Sequence, residues 1–243
     1  MTDKPAYLLE GVTRTHAGRT VLEVPRFEVA AGEVLCLVGP PGSGKSTLLR
    51  LLASLDGPTC GAVWWGSHRL GEAGTPVEVR RRITLLFQRP RLLSGSVLAN
   101  VEYGLKLRGW GDHSARARQF LGRVHLSHLA ERPAHAVSGG EAQLVALARA
   151  LAFEPDAVLL DEPTNNLDPD RVALVEEVVL GDHRTRDTTV VWATHNHFQA
   201  RRVGGRVALL LEGKLVEVGP AGEFFDTPKD DRTAAFVRGR MVY

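Results

Sequence analysis

The apolar positions of this chain form short strand-like runs near both ends and longer helical stretches between them. Residues 7–12 and 21–29 are rich in β-branched and apolar side chains, with Ala17-Gly18-Arg19 as the turn that joins them. Residues 33–38 follow as a nearly continuous apolar run, the pattern of a parallel strand buried on both faces. A Gly/Pro loop then leads into Ser46-Thr47-Leu48-Leu49-Arg50-Leu51-Leu52, which reads as helix, and Ile83-Thr84-Leu85-Leu86-Phe87 reads as another strand. Over residues 97–129 Ala, Arg and Leu are frequent and β-branched residues few, which predicts helix, and a further helix is predicted over 140–152. Strand-like runs return at 157–160 and 188–193. Between them lies a helical stretch whose start, Asp168-Pro169, supplies an N-cap and then proline in the first turn. The tail carries two short strands, 206–211 and 214–218, turned at Glu212-Gly213. Strands alternating with helices predict an α/β core, and the helical stretch in the middle predicts a lobe inserted into it.

Composition narrows the class. The 243 residues suffice for one large domain, and 44% hydrophobic with 24% charged residues is ordinary for a globular chain. A net charge of +2, from 30 basic and 28 acidic residues, gives no support for a nucleic-acid partner, which calls for a concentrated basic field. The two cysteines, Cys36 and Cys60, form neither a disulfide framework nor a metal site, and Cys36 sits in an apolar run as a small hydrophobe. Residues 1–5 have no basic start followed by an apolar stretch, and no run approaches the length of a spanning helix. The expectation is a cytosolic chain whose membrane role, if it has one, needs another subunit to cross the bilayer.

The first chemical signal is Gly39-Pro40-Pro41-Gly42-Ser43-Gly44-Lys45-Ser46, which matches the phosphate-binding P-loop pattern and is followed by Thr47. Glycines let the backbone N–H groups turn inward, and the following helix adds its positive end. Lys45 is the expected contact to the β- and γ-phosphates of ATP, and the Ser46 hydroxyl the expected ligand of Mg²⁺. The second signal is an apolar strand ending in Asp161-Glu162. There Asp161 is a candidate for the same Mg²⁺ and Glu162 a candidate general base for an attacking water. Neither motif by itself tells one P-loop family from another.

Ser138-Gly139-Gly140-Glu141-Ala142-Gln143 does, because with the helical run behind it the chain resembles the ABC ATPase family, whose signature has this form. A Ser-Gly-Gly turn at a helix start is a second anion cradle, which a single nucleotide does not need. The resemblance implies that the signature of one subunit closes over the ATP held by the P-loop of another, hence a head-to-tail homodimer. Further residues extend it. Gln88 matches the family's Q-loop glutamine, a contact to Mg²⁺ and water. Asn166-Leu167-Asp168 matches the D-loop, and His195 the switch histidine that contacts the γ-phosphate. His16 stands where family members usually place an aromatic residue that stacks on adenine. The arginine common after the signature's Gln143 is replaced by Leu144, and the expectation is the loss of a cation from the dimer interface.

The resemblance therefore implies a single ABC ATPase domain over 1–243. Its catalytic core with an N-terminal antiparallel β-subdomain comprises 1–88 and 138–243, and a helical subdomain, 89–137, couples to a permease. The 49 residues between Gln88 and Ser138 are too few for the long coiled coil of DNA-repair relatives, which leaves the transporter class. A permease helix is expected to dock along 89–93 and 97–107. Phe87-Gln88-Arg89-Pro90, residues 100–105, 195–202 and 227–233, and the ending Gly239-Arg240-Met241-Val242-Tyr243 are similar to subunits of oxyanion importers, tungstate first, then molybdate or phosphate. In such systems a separate binding protein selects the substrate, and the ATPase sits on the cytoplasmic face of the membrane. An exporter subunit, and a soluble ABC ATPase of assembly or repair, are the alternatives.

Overall fold

The structure, a computed structural model, describes residues 5–71 and 74–240; Met1 to Lys4, read above for a leader, and Met241 to Tyr243, part of the ending compared with importers, lie outside the described residues. In chain order, β1 (Pro5–His16) and β2 (Arg19–Ala30) form an antiparallel hairpin. Its turn residues Ala17 and Gly18 take φ of 47° and 78°, the mirror-image turn that suits the twist of two paired strands. β3 (Val34–Val38) runs through the phosphate-type loop into α1 (Lys45–Leu52). β4 (Cys60–Trp65), β5 (His68–Leu70), the single turn α2 (Val77–Arg80) and β6 (Ile83–Leu86) follow. Then come α3 (Val97–Leu107), α4 (His113–Arg123), two short 3₁₀ turns and α5 (Gly139–Leu151). The second half alternates β7 (Ala157–Asp161), α6 (Pro169–Arg186), β8 (Thr189–Thr194), α7 (His197–Val203), β9 (Arg206–Leu211) and β10 (Lys214–Pro220). It ends on α8 (Ala221–Asp226) and α9 (Asp231–Val237).

Among the described residues the strands make one sheet, ordered β5-β4-β1-β2-β10-β9-β3-β8-β7-β6. From β9 to β6 all neighbours are parallel, whereas β1, β2, β4 and β5 pair antiparallel as an arm. β3 shows why the centre is so apolar: Val34, Cys36 and Val38 enter the core on one face of the sheet, Leu35 and Leu37 the core on the other. The first core takes in α3, α4 and α5, so the helices of 89–137 share one hydrophobic interior with the sheet. Cys36 is fully buried and free, and burial pushes its thiol well above the ordinary cysteine range. Tyr7 is fully buried too, its ring 4.6 Å edge-on from Trp65, a core role.

The helix predicted over 97–129 is broken. Gly109, at φ 71°, follows the end of α3 and lets the chain turn back, and α4 then packs against both α3 and α5. The stretch predicted as strand to Phe87 ends at Leu86, which leaves Phe87 exposed.

Candidate nucleotide site

The loop between β3 and α1 is held in shape from behind. Ser43 N–H donates to the Pro40 carbonyl at 3.2 Å, and Gly213, in the β9–β10 turn, donates to the Ser43 carbonyl at 3.0 Å. Lys45, only 6% exposed, donates through Nζ to the carbonyls of Gly39 (2.7 Å) and Pro40 (3.0 Å). A cavity of about 450 Å³ opens over this loop, lined on one side by Gly42, Ser43, Gly44, Lys45, Ser46 and Thr47. Its other side is Gln88, Asp161, Glu162, Asn165 and His195. Gly39 and Pro40 stand behind the lining and act through their carbonyls.

The carboxylate side follows from strand register. β7 and β8 pair in parallel with Asp161 opposite Ala193, so the residues just past the two strand ends, Glu162 and His195, meet at the sheet edge. Glu162 N–H donates to the Ala193 carbonyl at 3.0 Å. His195 Nδ1 lies 2.9 Å from Glu162 Oε2, and the His195 backbone N–H donates to the same oxygen at 3.4 Å. Lys45 Nζ stands 3.9 Å from Glu162 Oε1. Glu162 itself has φ 47°, a left-handed conformation uncommon for a side-chain-bearing residue and of the kind that gathers at functional sites.

Burial dominates the charges here. It pushes the Lys45 ammonium below the ordinary lysine value, against the opposing pull of Glu162 and Asp161. It pushes the Asp161 carboxyl upward; a hydrogen bond from Ser46 draws it back, Glu162 raises it again and Lys45 lowers it. Ser46 and Asp161 thus offer adjacent oxygen donors at the cavity floor. That donor set fits Mg²⁺, a hard cation that takes one or two protein oxygens and completes its shell with phosphates and water. Among the described residues no cluster of three or more His, Cys, Asp or Glu could hold a metal.

The Ser138-Gly139-Gly140 turn, expected as a second anion cradle, lies elsewhere on the surface. Ser138 caps α5: its hydroxyl accepts from Glu141 N–H at 3.3 Å, and Glu141 Oε2 accepts from Ser138 N–H at 2.7 Å. Those bonds hold the Glu141 carboxyl below its ordinary value. Ser138 and Gly139 are exposed, Gly140 packs against the guanidinium of Arg171, and none of the three lines the cavity. Asp168 caps α6 by accepting from Arg171 N–H at 3.0 Å and also lies outside the cavity. His16 is exposed at the end of β1; the residue of this hairpin that borders the cavity is Val21.

Gln88 lines the nucleotide-sized cavity and, beside it, an apolar groove of about 820 Å³ bounded by Leu86, Phe87, Tyr103 and Phe153. One sequence expectation is corrected. Leu144, expected to face a dimer interface, is 2% exposed and packs in the chain's own core. Two residues went unread: Asn165, which lines the cavity three positions beyond Glu162, and Arg171 over Gly140. Asn165 carried a signal in Thr164-Asn165-Asn166, a polar run between two candidate motifs. Arg171 carried none.

Comparison with known proteins agrees with this geometry. The family model described as ABC transporter matches residues 22–165. The phosphate import ATP-binding protein PstB 2 of Natronomonas pharaonis is 41% identical, covering 96% of this chain and 86% of that protein. The tungstate uptake system ATP-binding protein TupC of Peptoclostridium acidaminophilum is 35% identical over 89% of this chain and 98% of its own length. Among solved structures, the dimeric post-hydrolysis state of the ATP-binding cassette MJ0796 bound to ADP and Pi superposes with a TM-score of 0.83 at 30% identity, covering 88% of this chain and 98% of that one. A nucleotide-sized cavity built on a P-loop, in a chain so related along nearly its whole length, has one reading: the chain belongs to the ABC transporter family and is an ATPase coupled to transport.

Proposed function

We propose that this chain drives the uptake of a small oxyanion, tungstate first, with molybdate and phosphate as the neighbouring choices. The observation that carries the reading is its identity with import ATPases named for phosphate and tungstate. The chain works as a head-to-tail homodimer in which Ser138, Gly139, Gly140 and Glu141 of one copy close over ATP bound at Lys45, Ser46 and Thr47 of the other. The separation of the two cradles within one chain supports this reading. His16 stacks on the adenine, and Asp168 works at the seam between copies.

In the site, the loop's N–H groups and the Lys45 ammonium bind the phosphate oxygens. Ser46, Asp161 and Gln88 are the residues to hold Mg²⁺, which when bound neutralises charge on the phosphates. Glu162 acts as general base, taking a proton from the attacking water. His195, hydrogen-bonded to Glu162 through Nδ1, orients that carboxylate and contacts the γ-phosphate. Closure of the dimer is favoured because nucleotide binds the closed state better than the open one.

Gln88 supports coupling to a permease, since it lines both the cavity and the apolar groove. Among the described residues no helix is long and apolar enough to cross a membrane, so the membrane-spanning part belongs to a partner, with this chain on its cytoplasmic face as the 89–137 lobe docks. A separate binding protein supplies the substrate to that permease. The test is accumulation of tungsten, molybdenum and phosphate in cells lacking this chain, at low external concentration. Selective loss of one oxyanion, restored by the wild type and not by Lys45→Ala, is the expected result. Normal accumulation of all three refutes oxyanion uptake and favours another cargo, export or a soluble role.

A further inference from the structure

Glu176 is a buried carboxylate that the reaction does not use. It stands on α6, 7% exposed, and receives three hydrogen bonds. Arg202 of α7 donates twice, Nε to Oε2 at 2.7 Å and Nη2 to Oε1 at 2.6 Å. Gln199, also on α7 and 1% exposed, donates from Nε2 to Oε1 at 2.8 Å. The carboxamide oxygen of Gln199 is then free to accept, and it takes the Thr164 hydroxyl at 3.1 Å. Thr164 belongs to the loop after β7, two residues beyond Glu162 and directly before the cavity-lining Asn165.

The other end of α7 leads to the same place. Asn196 caps the helix, its side chain accepting from Gln199 N–H at 3.1 Å, and His195 precedes it. So one side chain, Gln199, is tied through its backbone to the residue after His195 and through its carboxamide to the loop carrying Glu162. The donor–acceptor assignment has no slack. The Glu176 carboxylate accepts only, so the amide nitrogen must face it, and the amide oxygen must face Thr164. With Glu176 and Gln199 both buried and satisfied, such a chain of bonds is rigid, and breaking the bond between them leaves an unpaired group in the interior.

We propose that Gln199, anchored by Glu176, is a positioning residue that holds the Thr164 loop against α7 and thereby keeps Glu162 and His195 in reacting geometry. This rests on the reading of Glu162 as the base. Its effect is on turnover, with ATP binding spared, because the loop around Lys45 takes no part in the bridge.

The experiment measures kcat per nucleotide-binding site, with ATP affinity and binding stoichiometry determined on the same preparations. Gln199→Leu and Thr164→Val are each expected to lower kcat by about 10- to 100-fold, the scale of an ångström-level misplacement. Affinity and stoichiometry should stay within about twofold, and the double variant should be no worse than the single ones, as for two halves of one bond. Gln199→Glu sets two carboxylates together and should be as poor. Normal per-site turnover in Gln199→Leu, a loss matched by lost binding sites, or additive effects would each overturn the proposal. Glu162→Gln is run alongside. If it keeps turning over, the base assignment falls and takes this inference with it; if it is dead while Gln199→Leu is normal, only the positioning role falls.

Discussion

Two glycines of the phosphate loop have different reasons to be glycine, and substitution by alanine separates them. At Gly39 the backbone has φ 149°, and a Cβ would sit 2.1 Å from the Leu210 carbonyl oxygen and 2.8 Å from Ser43 Oγ. The first of these contacts is with the backbone of β9, at the centre of the sheet, so it cannot be relieved by a rotamer change. Backbone strain of about 1–3 kcal/mol and overpacking of similar size combine to about 3 kcal/mol or more. At Gly42 φ is 78° and nothing among the described residues lies within 4 Å of the added atom. Only the left-handed conformation is penalised there, by about 1–2 kcal/mol. For a chain of this size, a kilocalorie moves the melting temperature by about 2–4 °C. Gly39→Ala should therefore lower it by about 6–12 °C or more and Gly42→Ala by about 2–8 °C, read by calorimetry without nucleotide. Titration with ATP should show the larger affinity loss for Gly39→Ala, because the carbonyls of Gly39 and Pro40 that hold Lys45 must move with it. Equal shifts for the two variants, or none for Gly39→Ala, would refute the steric reasoning.

Glu162→Gln should bind ATP normally, hydrolyse it at least about 100-fold more slowly, and elute as an ATP-dependent dimer in size-exclusion chromatography; a monomer with ATP present would count against the closure scheme. Asp161→Asn removes a carboxylate that burial holds above its ordinary value. A group in that position binds more protons folded than unfolded, so wild-type stability declines as pH rises from the unfolded carboxylate value through the raised folded one. The metal-free variant should match the wild type in acid and become relatively more stable towards neutral pH, while losing ATP turnover; a melting-temperature difference that ignores pH would exclude the burial argument. Leu144→Arg buries a charge in the core and should destabilise the chain by about 3 kcal/mol or more in urea unfolding, whereas an interface position would tolerate it.

Much of this site could be read before any fold was known. The glycines and lysine of the P-loop, the Asp161-Glu162 pair at a strand end and the Ser138 cap are local features whose geometry a few neighbouring residues dictate. The apolar runs that became β3, β7 and β8 were equally plain, because a strand buried on both faces must be apolar throughout. The arm strands β4 and β5 escaped notice: Trp65 is held by Tyr7, far away in the chain, and no local pattern announces such a pairing. Nor did residue type place Leu144, taken as a position facing the dimer interface, in the chain's own core.

What the sequence alone determined was the set of candidate groups and their order along the chain, since motif chemistry depends on neighbours within a few bonds. What only the tertiary structure decided was who meets whom. The parallel register of β7 and β8 brings Glu162 to His195, the β9–β10 turn props the phosphate loop, and α6 lends Glu176 to α7. These contacts join residues tens of positions apart. They depend on strand order and helix packing, which are set by burial of the whole core and not by any one segment.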